Sequence, residues 1–412
     1  MIELRDEAKD FYGSDNFARL LTHVPEKTQE EIAKTHDYDY RARQIHFKPH
    51  LRAWMLLTLS EDETLRDMHS AVNHDPLYQL HGAGMDVSLG ALSEAHQKRP
   101  YEAMIDVLTI ALADIERIPK SKRALRELPP QVLEEIGDLL SQTVLFDSTT
   151  LELPSRIKDW AEEKSEEALP LKAHVRLQGG YGGLDRVILT AENEHDHNQY
   201  QALLDLAHPP AEHTIYLHDC GYRELATYDQ IVDEGHDFVS RFHSQITVHQ
   251  EEERSLPADT HLANGYKVIR DRLVTLGTED NRTTHSYRLI NVKDSQGDPV
   301  VIVSSMTDAE VAVICSLYFY RWTIEILFRW LKHVLTLDHL VSHTPNGIMM
   351  QVITTLLTYA LLILYHQDGP LSLKQIIREL RYAIHERLYQ LGYEQGLRDA
   401  QAQGQALTSA DP

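Results

Sequence analysis

The chain has 412 residues, 42% of them hydrophobic, enough to bury a large core divided among two or three domains. Its formal net charge of -23 is the opposite of the basic excess that grips phosphate, so any nucleic-acid surface has to be a local one. Two cysteines, Cys220 and Cys315, lie far apart and match no metal-ligand spacing, which excludes a disulfide framework and fits a reducing compartment.

Residues 1–130 read as mainly helical, and the opening Met1-Ile-Glu-Leu-Arg-Asp-Glu7 lacks the basic and apolar parts of a secretory leader. Ser60-Glu-Asp-Glu63 has the form of a capping box, opening a helix with Leu65, Met68 and Val72 at helical spacing. The turn His81–Asp86 leads to a second helix over Ser88–Lys98, with Arg99 just beyond. That layout suits a DNA-reading helix–turn–helix and equally an ordinary helical hairpin. Arg41, Arg43, Lys48 and Arg52 form one local basic cluster. Lys120, Lys122, Arg123 and Arg126 form another, inside the proline-bearing connector 117–130.

The pattern then changes. Thr143–Asp147 is a short buried strand ending in an acid, and Ala173–Leu177 and Arg186–Thr190 are strands on either side of Gly179-Gly-Tyr-Gly-Gly183. The glycine run lacks the lysine of a phosphate-binding loop and reads as a hairpin turn. His195-Asp-His197 offers two zinc-type ligands but no further spaced ones, and reads as the cap of a helix over about 198–206. A strand over Thr214–His218 then ends at Asp219. Residues 243–305 are rich in strands, with Gly265–Arg270, Arg272–Leu276, Tyr287–Val292 and Val300–Val303 separated by turns. Thr344–Tyr365 carries no charge and approaches the length of a membrane span, but Gln351, Thr354, Thr355 and Thr358 predict a helix buried against a sheet. Beyond it, Leu373, Ile376, Ile377 and Leu380 form an apolar stripe suited to a second protomer or to burial within the monomer.

Between these segments lies the most specific pattern, Tyr318, Arg321, Glu325 and Lys332. On a helix these four fall within an arc of about 60°, with Ile324, Leu327, Leu331 and Val334 on the opposite side. A carboxylate between two cations, beside an aromatic hydroxyl, suits metal binding next to a phosphate grip; it also suits a solvated face with an Arg321–Glu325 ion pair. Trp322, just off the stripe, suits stacking on a displaced base as well as packing.

The order Tyr-x2-Arg-x3-Glu-x6-Lys resembles the YREK motif of prokaryotic insertion-sequence transposases with a DDE active site. The resemblance implies two earlier strand-end aspartates, matched here by Asp147 in Phe146-Asp-Ser-Thr-Thr150 and Asp219 in His218-Asp-Cys-Gly-Tyr222. It implies an α/β fold with a ribonuclease H-like catalytic domain over 131–242 and 306–365, interrupted by a β-strand insertion at 243–305. A helical DNA-binding region over 1–130 and a helical C-terminal region over 366–412 complete it. Asp147, Asp219 and Glu325 would be the catalytic residues, holding two Mg2+ or Mn2+ ions, and Tyr318, Arg321 and Lys332 would contact DNA. The partners implied are double-stranded DNA, at the element ends and the target, and a second copy of the chain in the DNA complex. No membrane is implied, and the location is cytoplasmic, on the nucleoid when DNA is bound. Two other readings share these features: a ribonuclease H-like nuclease or recombinase, which has no need of the stripe, and a transposase-derived DNA-binding protein without catalysis, against which the three acids count.

Overall fold

The computed structural model describes residues 17, 20–60, 64–117, 130–151, 171–179, 183–191, 193–242, 247–256, 261–262, 265–333, 335, 340–342, 344–366 and 377–378. Two compact units emerge, one formed by residues 1–115 with 333–412 and the other by 116–332.

Among the described residues, the first unit includes the helices α1 (Glu26–Thr35), α2 (Phe47–Leu59), α3 (Leu65–His74), α4 (Pro76–Leu80), α5 (Leu89–Lys98) and α6 (Glu102–Glu116), after a 3-10 turn at Leu21–His23. α2 is apolar and buried on nearly every side, which makes it a core helix rather than an amphipathic surface one. The cap of α3 differs from the expected Ser60 box. Thr64 accepts the amide of Asp67, while Ser60 closes α2, its hydroxyl donating to Leu57 O at 3.0 Å. Thr64 stands directly before the first apolar residue of the helix, so it is the better-placed hydroxyl. Between the two helices of the expected helix–turn–helix, Asp75 and Pro76 start the short α4; Ser88 then caps α5. Two of the four cations in the first basic cluster are offset by acids of α1: Lys48 bonds Glu30 at 2.7 Å and Arg52 bonds Glu26 at 3.0 Å. The second cluster lies outside the described residues.

The second unit contains α7 (Pro130–Ile136), β1 (Thr143–Leu151), β2 (Leu171–Gln178), β3 (Gly183–Ala191), α8 (Tyr200–Leu204), β4 (Ile215–His218), α9 (Leu225–Asp233), β5 (Asp237–Phe242), β6 (Val248–Glu253), β7 (Lys267–Leu276), β8 (Tyr287–Lys293), β9 (Pro299–Ser304), α10 (Val311–Tyr320) and α11 (Trp322–His333). All nine strands join one mixed sheet in the order β3-β2-β1-β4-β5-β9-β8-β7-β6. β1, β2 and β3 are antiparallel, β4 is parallel to β1, and β5 is parallel to β4. Three antiparallel strands, a helix and a parallel fourth strand follow the order anticipated from the sequence; β2 and β3 pair antiparallel, and the middle of the glycine run between them, 180–182, lies outside the described residues.

The strands of 243–305 extend this sheet from the far side of β5, through β9. The two strands expected at 265–270 and 272–276 are one strand, β7, with a register shift between Val268 and Arg270; a bulge there accommodates the break in alternation. Gly277 turns β7 toward β8 at φ +104, where a Cβ would meet Asn281 O at 1.9 Å, so only glycine fits. Within the sheet the Arg288–Asp271 ion pair is buried. Arg288 also donates to the carbonyls of Thr307 (3.1 Å) and Ala309 (2.8 Å), tying the β6–β9 meander to the approach to α10.

Phe146, Tyr200, Tyr216, Tyr222, Tyr228, Phe238 and Tyr287 belong to one core cluster under α8 and α9. Val239, Ile290 and Ile302, also buried, alternate onto the other face of the sheet, and α10 packs on β5 and β9 without joining that cluster. Arg321 falls between α10 and α11 but keeps helical dihedrals, φ -52 and ψ -29, so the two segments run on as the helix expected from the sequence.

The chain returns to the first unit as α12 (Pro345–His366), which packs on α2 and α5, not against a sheet as expected. Most of its polar residues are satisfied: the hydroxyls of Thr354 and Thr358 donate to Met350 O (2.7 Å) and Thr354 O (2.8 Å), and Gln351 accepts the Val341 amide at 2.9 Å, while the buried Thr355 hydroxyl has no hydrogen-bond partner among the described residues. The helix is long and apolar enough to cross a membrane but is nearly all buried inside the protein. Of the C-terminal stripe, Ile377 is buried; Leu373, Ile376 and Leu380 lie outside the described residues.

Candidate active site

β1 does not end at Asp147, as its sequence suggested; it continues to Leu151 against β2. What ends is the pairing with β4, whose last pair is Leu145 with Leu217. Asp147 therefore emerges where β1 and β4 part, and Asp219 follows the last residue of β4. The two acids share one local geometry. Asp147 Oδ1 accepts the amide of Ser148 at 2.8 Å, and Asp219 Oδ1 accepts the amide of Cys220 at 2.7 Å. Each carboxylate is thus oriented by its own backbone through one of its two oxygens.

Arg321 joins the third acid to this pair. Its Nη1 donates to Asp147 Oδ2 at 3.1 Å and its Nη2 to Glu325 Oε1 at 2.7 Å, bridging β1 to a helix 174 residues further on. The guanidinium lies 5.4 Å from the centre of the Tyr318 ring, a cation–π contact. Burial raises Asp147 to about 7, against the lowering effect of Arg321 and the Ser148 amide, and Asp219 and Glu325 push it the same way as burial. Burial opposes charge on Arg321, but Tyr318 and the three carboxylates together hold its pKa above the usual value. The three acids thus occupy one electrostatic site with a single buried cation among them.

The stripe read from the sequence is consequently split. Tyr318 and Arg321 are 2% and 3% exposed and face inward. Trp322 is 45% exposed, so it is a surface ring and not a packed one. Lys332 is half-buried and makes no ion pair among the described residues. Beneath Asp219, His218 is buried between Tyr200 (3.0 Å) and Ser240 (3.1 Å) and lowered to about 4 by burial, so it is a neutral structural group. Nothing in its sequence neighbourhood marked that role. Asp196 does not cap a helix with its side chain; it bonds Ser148 and Lys172 instead.

Among the described residues, no three His, Cys, Asp or Glu side chains already converge as a metal cage. The donor set is nevertheless one of carboxylate oxygens around a placeholder cation, which is the chemistry a hard divalent ion takes.

Residues 139–361 match the family described as the transposase DDE domain, a span that includes all three acids. A probable transposase for insertion sequence element IS5377 from Geobacillus stearothermophilus is 24% identical over 339 residues, covering 82% of this chain and 81% of the relative. A putative transposase for insertion sequence element IS4SA from Synechocystis is 21% identical over 311 residues, 75% of this chain and 79% of the relative. The putative transposase y4zB from Sinorhizobium fredii is 28% identical over 148 residues, 36% of this chain and 41% of the relative.

Proposed function

The chain belongs to the transposase DDE-domain family, and from that premise we propose that it binds the terminal inverted repeats of an insertion sequence and catalyses metal-dependent strand cleavage and strand transfer. The observation that carries this reading is the Arg321 bridge, which draws Asp147 and Glu325 into one site alongside Asp219. A DNA-binding protein without catalysis has no use for three partly buried, mutually repelling carboxylates.

Asp147, Asp219 and Glu325 are the residues that would hold the divalent ions. Such ions, Mg2+ or Mn2+, when bound supply activation of the attacking oxygen and offset charge on the leaving one. The protein's own part is orientation and charge. The amides of Ser148 and Cys220 fix two of the carboxylates, and Arg321 holds Asp147 and Glu325 together against their repulsion. Lys332 supplies a point charge for a phosphate, and Trp322 an exposed ring for a base at the cut end. Purified protein given DNA carrying its element ends should cut with Mg2+ or Mn2+ and stop in EDTA; undiminished cutting in chelator would overturn the metal-dependent reading.

Lys332→Ala should reduce the salt dependence of end binding by about one phosphate contact. Trp322→Ala should weaken binding of a frayed end by roughly 1–3 kcal/mol while leaving intact duplex unaffected. Salt titrations and binding curves identical to those of the parent protein would remove both residues from the DNA surface.

Joining two ends to a target in one event calls for two sites, so we propose two protomers in the paired-end complex. Light scattering giving one protomer per pair of cut ends would refute it.

A further inference from the structure

We infer that Asp196 is a positioning residue that fixes the separation of Asp147 and Asp219, an inference that rests on reading those acids as the catalytic pair. The backbone ladder between their strands stops at Leu145 and Leu217, so it does not reach either carboxylate. Side chains take over from there. Asp196 Oδ1 accepts from Ser148 Oγ at 2.8 Å, the residue after Asp147, and from Lys172 Nζ at 3.2 Å. Lys172 also donates to the carbonyl of Glu194 at 2.9 Å, which anchors the segment bearing Asp196 to β2. The other oxygen, Oδ2, lies against Gly221, where an added Cβ would approach it to 3.1 Å.

Gly221 belongs to the turn that carries Asp219 and closes with the Tyr222 amide donating to Asp219 O at 3.2 Å. The Tyr222 ring packs edge-on against Phe146 with centroids 5.0 Å apart, and its hydroxyl stands 3.3 Å from His174 Nδ1. Both chain neighbours of Asp147 therefore lead to the turn of Asp219: Phe146 packs on Tyr222, and Ser148 bonds Asp196, whose other oxygen sits close beside Gly221. Lys172 offsets the charge of Asp196, so this fourth carboxylate acts as a clamp and not as an additional ligand.

The test uses the full-length chain and two readouts, direct Mn2+ binding by calorimetry and cleavage of element ends. Asp196→Ala should weaken Mn2+ binding and slow cleavage 10- to 100-fold, the usual cost of losing a group that orients metal ligands. DNA-end binding should be unchanged, and part of the cleavage loss should return at high Mn2+. Asp196→Asn keeps an acceptor for Ser148 and should stay within a few-fold of the parent, with Ser148→Ala between the two. Mn2+ titrations of Asp196→Ala and Ser148→Ala that superimpose on the parent would overturn the inference, as would an asparagine variant as damaged as the alanine one. Should Asp196→Ala fail to fold, Ser148→Ala decides alone: unchanged Mn2+ affinity refutes the clamp. A parent protein that neither binds Mn2+ nor cleaves refutes the catalytic reading itself, and the clamp with it.

Discussion

Alanine in place of Asp147, Asp219 or Glu325 is expected to lower cleavage of element ends by roughly 10³-fold or more, because each removes a carboxylate that would hold the divalent ions. End binding, followed by gel shift, should change little, since none of the three contributes a positive charge to the DNA surface. The effects should also fail to add. Three groups that hold the same ions act as a unit, so Asp147→Ala with Glu325→Ala should be scarcely worse than either alone. Arg321→Gln gives an informative contrast. It removes the cation between Asp147 and Glu325, leaving their repulsion uncompensated, and should loosen the metal-free site before any DNA is present. Parent-level cleavage in any one alanine variant would remove that residue from the site.

How much of this was legible in the sequence depends on which physical signal each element sends. The strands β2, β3, β4, β8 and β9 announced themselves because they are short apolar runs bounded by turns. Asp147 and Asp219 could be picked out as acids at the close of such runs, although β1 in fact runs on past Asp147 on one side only. The helical periodicity of 318–332 placed Tyr318, Arg321, Glu325 and Lys332 on one stripe, but periodicity does not say what that stripe will face. Nor does it report burial: Arg321 is buried, and its two ion pairs turn that part of the stripe inward. The same limit applies to α12. Its uncharged length predicted burial, yet nothing in a single helix says whether helices or a sheet will cover it. Asp196 was the least legible of all. Its partners Ser148 and Lys172 come from β1 and β2, and only the closing of the sheet brings them within reach.

Asp147→Asn should make the metal-free protein more stable while destroying cleavage. In the folded chain Asp147 titrates at about 7, chiefly because burial disfavours its charge, with Arg321 only partly compensating. Unfolded, an aspartate titrates near ~3.9. Below that value both states carry the proton and the residue costs nothing. As pH rises from about 4 to about 7, the unfolded chain releases the proton and the folded chain retains it, so stability is lost steadily through this window. Above 7 the loss is complete, and at most about 4 kcal/mol follows from the two values. Asparagine keeps the shape and has no charge to bury. The melting temperature of Asp147→Asn should therefore match the parent near pH 4 and exceed it by several degrees at pH 8, both measured in EDTA. Saturating Mn2+ should reverse the order at pH 8, because an ion that binds only the folded parent stabilises it by mass action. A variant that melts at or below the parent at pH 8 in EDTA would show that Asp147 is not held in the site at the expense of stability.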